Sequence, residues 1–153
     1  MSSQFSLTDA SLDDKFFLQL LEKLISETKN LQNKPPSHVP KEKYAAQHVL
    51  EALKPYDKKH NPKGALEVST YEYAEDRPNI IVRYAGSSDR TVAFVGSHLD
   101  VVPANPDDWK RNPFKLEIGE DGDTLYGRGT TDCLGHVALV TNMFVQVFDE
   151  HSF

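Results

Sequence analysis

Two short motifs contain residue types that bind metal ions. In the first, His98 and Asp100 follow an apolar run, and their spacing places both side chains on one face of a predicted strand. A neutral imidazole binds a metal through one nitrogen while a neighbouring carboxylate accepts the proton on the other nitrogen. Many strands end in a His-x-Asp pattern, so this motif alone is weak evidence for a metal site.

A second acidic motif follows at residues 127–132, with the sequence Gly-Arg-Gly-Thr-Thr-Asp. Taken alone, Asp132 is better interpreted as a helix cap than as a ligand, and Thr130 and Thr131 could also cap the helix. Together with His98, however, Asp132 fits the rule that α/β sites gather at the carboxyl ends of strands. Ligation by histidine and carboxylate favours zinc, with cobalt or manganese as substitutes.

Apolar residues at helical spacing predict three helices. The first covers 13–28 and is capped by Ser11, and the second runs from Pro40 to just before Pro55. A third helix over 134–148 is apolar on nearly every side and should be buried on more than one side. The residues predicted to face the core are Phe16, Phe17, Leu20, Leu21, Leu24, Ile25, Tyr44, Ala45, Val49, Leu50, Leu53, Val137, Ala138, Leu139, Val140, Phe144, Val147 and Phe148.

Alternating and β-branched residues predict strands between the second and third helices. We place strands at 66–73, 79–84 and 91–96, and we expect the last two to pair as a hairpin. A smaller hairpin is predicted from 115–118 and 124–126. This order of elements indicates an α/β fold with a mixed sheet flanked by helices.

A sheet of about four strands is too small to cover the apolar faces of the three predicted helices. We therefore expect residues 11–153 to be the N-terminal portion of a larger α/β domain, preceded by a flexible segment at 1–10. The net charge of −6 disfavours nucleic acid or an anionic membrane as a partner. A single cysteine excludes an intramolecular disulfide, and no secretory signal or membrane-spanning stretch is present, so we predict a cytoplasmic location.

The two motifs together resemble the M20 family of metallopeptidases and amidohydrolases. The resemblance covers Ser-His-Leu-Asp-Val-Val-Pro at 97–103, the linking residues 104–109 and 112–114, and the second motif at 127–132. The continuation at 132–141 is most similar to the eukaryotic acetylornithine deacetylase branch of that family. Many other relatives have a lysine and a second glycine where this chain has Leu134 and His136.

The resemblance implies roles for three residues. His98 would ligate one metal, Asp132 would bridge two zinc ions, and Asp100 would be a catalytic residue that acts by accepting a hydrogen bond from His98. Such a centre hydrolyses the amide bond of a small N-acyl amino acid, which in this branch is N-acetylornithine. The complete protein is expected to be a homodimer. An aminoacylase or dipeptidase of the same family is one alternative, and a non-catalytic binding protein built on the same scaffold is another.

One feature of the family is missing from this sequence. The family takes its general base and a further ligand from a downstream Glu-Glu pair, and this chain contains none; Glu120 and Glu150 are isolated. A catalytic zinc needs about three protein ligands. We therefore predict that this polypeptide alone is inactive and binds metal weakly.

The remaining candidate residues are assigned structural roles. Cys133 is predicted to be a small buried residue, and His136 to be a core or capping residue. Trp109 and Phe114 are predicted to pack the linking loop. No ligand partner is predicted for the other histidines, which are His38, His48, His60 and His151.

Overall fold

A computed structural model describes residues 11–36, 39–86, 89–94 and 97–149. In chain order, the helices and strands are α1 (Asp14–Ser26), α2 (Lys43–Leu53), β1 (Leu66–Glu72), β2 (Pro78–Tyr84), β3 (Glu117–Ile118), β4 (Leu125–Tyr126) and α3 (Leu134–Asp149). Two short 3-10 helices cover Lys54–Tyr56 and Pro106–Asp108. These elements confirm the α/β class. The segment predicted to be flexible, 1–10, lies outside the described residues, as do His38, Glu150 and His151.

The first two helices begin later than predicted. The cap of α1 is Asp13 rather than Ser11, because the Asp13 carboxylate accepts a hydrogen bond from the backbone N–H of Phe16 at 3.0 Å. Helix α2 begins at Lys43 rather than Pro40, and the Lys43 N–H donates to the carbonyl of Asp76 at 2.9 Å. It ends before Pro55, as predicted, and the chain continues into the 3-10 turn.

The core lies where α1, α2 and α3 pack together. Helix α3 buries one stripe, at positions 134, 137, 138, 141, 142 and 145, while Leu139 is exposed. The prediction that this helix is buried on more than one side is therefore wrong for the described chain. The largest fully buried apolar side chains are Leu21, Leu24, Ile25, Leu31, Leu53, Leu66, Leu134 and Val145.

Strand β2 pairs with β1 in antiparallel register, with Val68 opposite Val82. Because residues 91–94 form no strand, the predicted pairing of 79–84 with 91–96 is wrong for the described part of that segment. The alternate residues Leu66 and Val68 of β1, and Ile80 and Val82 of β2, pack onto the helices, so this pairing gives β2 a shared buried face.

Residues 91–94 form no strand, and Val95 and Gly96 lie outside the described residues. The small hairpin is confirmed in shorter form by β3 and β4. Parallel pairing occurs as two isolated bridges, Gln32–Val101 and Asp57–Leu66. None of the described helices is long and apolar enough to cross a membrane.

Candidate metal centre

Backbone hydrogen bonds hold the first motif against the turn that follows α1. The Val101 N–H donates to the carbonyl of Leu31 at 2.9 Å, and Val101 forms a single parallel bridge with Gln32. The side-chain oxygen of the buried Gln32 also accepts the Ala104 N–H at 2.8 Å. The sequence predicted a strand at 91–96 leading into this motif, but the described residues 91–94 form no strand. Contacts with residues far away in the chain position the motif.

Two glycines allow the second motif to approach the core and the first motif closely. A Cβ at Gly129 would lie 2.9 Å from Cδ1 of Leu134 and 3.2 Å from Cγ1 of Val101, and its φ is +92°. A Cβ at Gly127 would lie 2.8 Å from Cδ1 of Ile25. A Cβ at either glycine would force buried side chains to shift. The Gly-Arg-Gly spacing thus lets the loop before Asp132 pack directly on the segment that contains Asp100.

The imidazole of His98 lies between the two predicted acidic partners. Its Nε2 is 2.9 Å from Oδ1 of Asp132, and its Nδ1 is 3.0 Å from the backbone carbonyl oxygen of Asp100 and 3.2 Å from Oδ1 of Asp100. The structure thus brings together all three predicted site residues. The sequence predicted a carboxylate on one ring nitrogen without specifying which; the structure places Asp100 at Nδ1 and adds the Asp100 carbonyl as a second acceptor there.

This environment raises the pKa of His98 above its ordinary value of 6.5. Partial burial is the largest influence and lowers the pKa, but hydrogen bonds to the Asp132 side chain and the Asp100 backbone, with the charges of both carboxylates, outweigh it. With acceptors at both ring nitrogens, the protonated imidazolium donates on each side. A metal that binds at Nε2 of the imidazolium would therefore have to displace the proton on that nitrogen.

The spacing of donor atoms fits a zinc ion after a small movement. Two ligands at about 2.0–2.1 Å on a tetrahedral zinc are about 3.3 Å apart, so Nε2 and Oδ1 would have to separate slightly from their distance of 2.9 Å. The Asp132 side chain is 73% exposed and can make that adjustment. An imidazole with one outer carboxylate on Nδ1 also matches the usual surroundings of a histidine that ligates a metal.

Cys133 is the site residue whose role the sequence analysis missed. Its burial was predicted and is confirmed, and its Sγ lies with the donor atoms of His98 and Asp132 in a cluster within 4.8 Å. The His98 N–H donates to Sγ at 3.0 Å, and the thiol donates to the His98 carbonyl at 3.2 Å. Burial raises the thiol's pKa, and the charges of Asp132 and Asp100 reinforce that shift against the opposing hydrogen bond from His98. Cys133 therefore holds the His98 backbone as a neutral thiol, and its adjacency to Asp132 was the available sequence signal.

The surrounding residues largely have structural roles. The guanidinium of Arg128 lies 4.9 Å from the ring centroid of Trp109, and Lys29 lies 5.3 Å from that of Phe114, as expected for a packed linking loop. For His136 a core or capping role was predicted; the residue is exposed, so the core role is wrong, and the capping role stays a prediction.

Two other histidines have carboxylate partners that the sequence did not predict. His60 contacts Asp57 at 3.0 Å, and His48 contacts Glu27 at 3.4 Å. Glu120 is exposed, as predicted.

The chain is similar to enzymes that hydrolyse amide bonds. The family described as Peptidase family M20/M25/M40 matches residues 94–152. Acetylornithine deacetylase of Dictyostelium discoideum is 54% identical over 149 residues, which cover 91% of this chain and 32% of that protein. The Arabidopsis thaliana protein of the same name is 51% identical over 134 residues, covering 87% of this chain and 30% of the relative.

A Beta-Ala-Xaa dipeptidase of Lactobacillus delbrueckii subsp. lactis is 48% identical over 50 residues, covering 33% of this chain and 10% of the relative. The chain thus spans less than a third of the length of each of these three proteins. No solved structure gives a significant match.

Proposed function

The chain belongs to peptidase family M20/M25/M40, and on that basis we propose that it supplies part of a metal centre that hydrolyses N-acyl amide bonds. The proposed substrate is N-acetylornithine, and the products are ornithine and acetate. Its two deacetylase relatives support this choice of substrate. The observation that carries the proposal is the His98 ring, held between Asp100 and Asp132.

Zinc is the proposed metal, with two ions in the whole protein and cobalt or manganese as substitutes. When bound, zinc would polarise the amide carbonyl and would lower the pKa of a bound water to about 7. His98 offers its Nε2 lone pair once the proton on that nitrogen is lost. Asp100 would accept a hydrogen bond from the proton on Nδ1, and Asp132 would hold both ions through its exposed carboxylate.

The chain alone is proposed to bind zinc weakly and to be inactive. Within the described residues, we assign His98 and Asp132 as the ligands at this centre; the Sγ of Cys133 lies in the same cluster, but its hydrogen bonds go to the His98 backbone. Two ligands fall short of the three that a catalytic zinc needs. Calorimetric titration of the 153-residue chain with zinc should show weak binding, and tight one-to-one binding would contradict this part of the proposal.

A chimera tests the activity itself. This chain would replace the matching region of the Dictyostelium relative, and hydrolysis of N-acetylornithine would be measured with zinc present. We expect the chimera to be active and His98→Ala to lower the rate by at least about a thousandfold, because a metal ligand is lost. Asp100→Asn should lower the rate or the zinc affinity by about 10–100-fold, the usual effect of changing a residue that orients a ligand.

His136→Ala is the matched control, since His136 is an exposed histidine close to the same motif. Its activity should equal that of the unmodified chimera. Retained deacetylation in His98→Ala would refute the ligand assignment. A folded, zinc-loaded chimera without activity would favour the non-catalytic alternative.

The dipeptidase alternative is supported by the similarity to the Beta-Ala-Xaa dipeptidase. The same chimera, assayed with a β-alanyl dipeptide, separates the two activities. Preference for the dipeptide would move the proposed substrate from N-acetylornithine to dipeptides. A homodimeric whole protein in the cytoplasm remains part of the proposal, to be tested by sedimentation and by imaging of a tagged protein.

A further inference from the structure

A cavity of about 310 Å³ lies between α2 and β1, and none of its lining residues belongs to the metal centre. This volume is at the lower end of the range for small-molecule sites. Leu50 of α2 and Val68 of β1 form an apolar wall. Polar and charged side chains make up the rest of the lining, so the cavity suits a small molecule that is partly apolar and partly charged.

A buried carboxylate orients one of the polar groups in this lining. Asp57 is 4% exposed, and its Oδ2 lies 3.0 Å from Nδ1 of His60. Burial raises the pKa of Asp57, but hydrogen bonds from the Lys59 backbone and the His60 ring help to hold that pKa below its ordinary value of 3.8. The ionised carboxylate accepts from Nδ1. A neutral His60 ring therefore presents Nε2 to the cavity as an acceptor.

Two opposite charges line the same cavity. Glu51 lies in the last turn of α2, and Lys54 begins the 3-10 turn that follows. Both are exposed, and among the described residues neither forms an ion pair. The exposed Thr70 adds a hydroxyl group. The cavity thus offers acceptors on Glu51 and His60 and donors on Lys54 and Thr70.

A free α-amino acid has the groups that match this lining. Its ammonium would donate to Glu51 and to Nε2 of His60, and its carboxylate would accept from Lys54 and Thr70. An apolar side chain would contact the apolar wall. A simple anion or a simple cation would leave one of the two lining charges unpaired.

We propose that the cavity between α2 and β1 is a binding site for a free α-amino acid with an apolar side chain. The proposal does not depend on the proposed substrate, because the cavity and the metal centre share no residue. It is tested by binding rather than by hydrolysis, so its failure is distinguishable from failure of the proposed function.

The experiment is an NMR titration of the isotopically labelled 153-residue chain with L-leucine. Saturable shifts are expected for the backbone N–H groups of Leu50, His60 and Thr70, with a dissociation constant in the millimolar range because exposed ion pairs contribute little. Isocaproate is leucine without the ammonium group, and isoamylamine is leucine without the carboxylate. Each should bind at least about fivefold more weakly than leucine, because the hydrogen bonds of one charged group are lost.

Lys54→Met removes a cation from the cavity, and Lys63→Met makes the same change at an exposed lysine outside it. Lys54→Met should weaken leucine binding by at least about threefold, and so should Glu51→Gln, because each removes one ion pair with the ligand. Lys63→Met should bind leucine normally, as should His98→Ala. The thermal unfolding of the Lys54, Glu51 and Lys63 variants should match that of the unmodified chain, because these three residues are exposed.

Four results would overturn the proposal. Leucine could cause no saturable shifts at the cavity, or one of the two analogues could bind as tightly as leucine, which would make the ligand a simple ion. Lys54→Met could bind leucine as well as Lys63→Met does. His98→Ala could also abolish binding, which would place the leucine at the metal centre.

Discussion

Replacing Gly129 with alanine should destabilise the chain more than the same change at any glycine in open space. The new Cβ would lie 2.9 Å from Leu134 and 3.2 Å from Val101, two side chains buried in the core. Overpacking of this kind costs about 1–3 kcal/mol. The φ of +92° adds about 1–2 kcal/mol for a residue with a Cβ. The expected loss is therefore about 2–5 kcal/mol of the free energy of unfolding, a large part of the total of about 5–15 kcal/mol.

Two other glycines separate the steric cost from the backbone cost. Gly122 has a φ of +72° and open space where a Cβ would lie, so Gly122→Ala should cost only the backbone contribution of about 1–2 kcal/mol. Gly86 has open space and no left-handed φ, so Gly86→Ala should change stability by less than about 1 kcal/mol in either direction.

Urea unfolding, followed by circular dichroism and by the fluorescence of Trp109, measures all three variants. Trp109 is the single tryptophan and contacts Arg128, the neighbour of Gly129. The dependence of free energy on urea concentration should not change between variants, because the same surface unfolds. If Gly129→Ala costs no more than Gly122→Ala, the argument that the second motif packs closely on the first is refuted.

Three further predictions concern the metal centre and the small hairpin. Zinc affinity should rise with pH, by about tenfold per unit below the raised pKa of His98, because zinc displaces the Nε2 proton. In the metal-free chain, the ion pairs of His98 contribute their full stabilisation of the fold below its ordinary pKa of 6.5. That stabilisation is lost as pH rises through the raised pKa. A zinc affinity that does not change with pH would contradict the raised pKa of His98, on which both statements depend. Cys133→Ala should destabilise the fold by about 1–3 kcal/mol relative to Cys133→Ser, since alanine leaves the His98 backbone without its hydrogen-bond partner. Equal urea midpoints of the two variants would argue that the Cys133 side chain does not hold the His98 backbone. Hydrogen bonds from Thr124 and Asp123 lower the pKa of Asp121 to about 2. The turn between β3 and β4 should therefore keep these hydrogen bonds above pH 3.8 and lose them as pH falls through about 2. An NMR titration of Asp121 with a midpoint near 3.8 would be inconsistent with that turn.

Local sequence patterns were sufficient for the helices and the small hairpin. Helical spacing of apolar residues located α1 and α3, and the turn residues 119–123 located the hairpin of β3 and β4. Helix starts were less accurate, because Asp13 and Ser11 are both good caps and only the hydrogen bond to Phe16 distinguishes them.

Pairing between strands was not predictable in the same way. Strand composition predicted β2, which the structure contains, and also a strand at residues 91–94, which form none. Composition carries no information about which strand pairs with which. The shared buried face of β1 and β2 determined their pairing, and that face exists only once the helices are packed.

For the proposed metal centre, the sequence by itself identified the candidate donors and the motifs that contain them. His98, Asp100 and Asp132 follow from side-chain chemistry and spacing, which are local properties. Only the tertiary structure decided that the His98 ring lies between the two carboxylates and that Cys133 holds its backbone. These contacts join residues far apart in the chain, and they depend on close packing at Gly129 that no local pattern specifies.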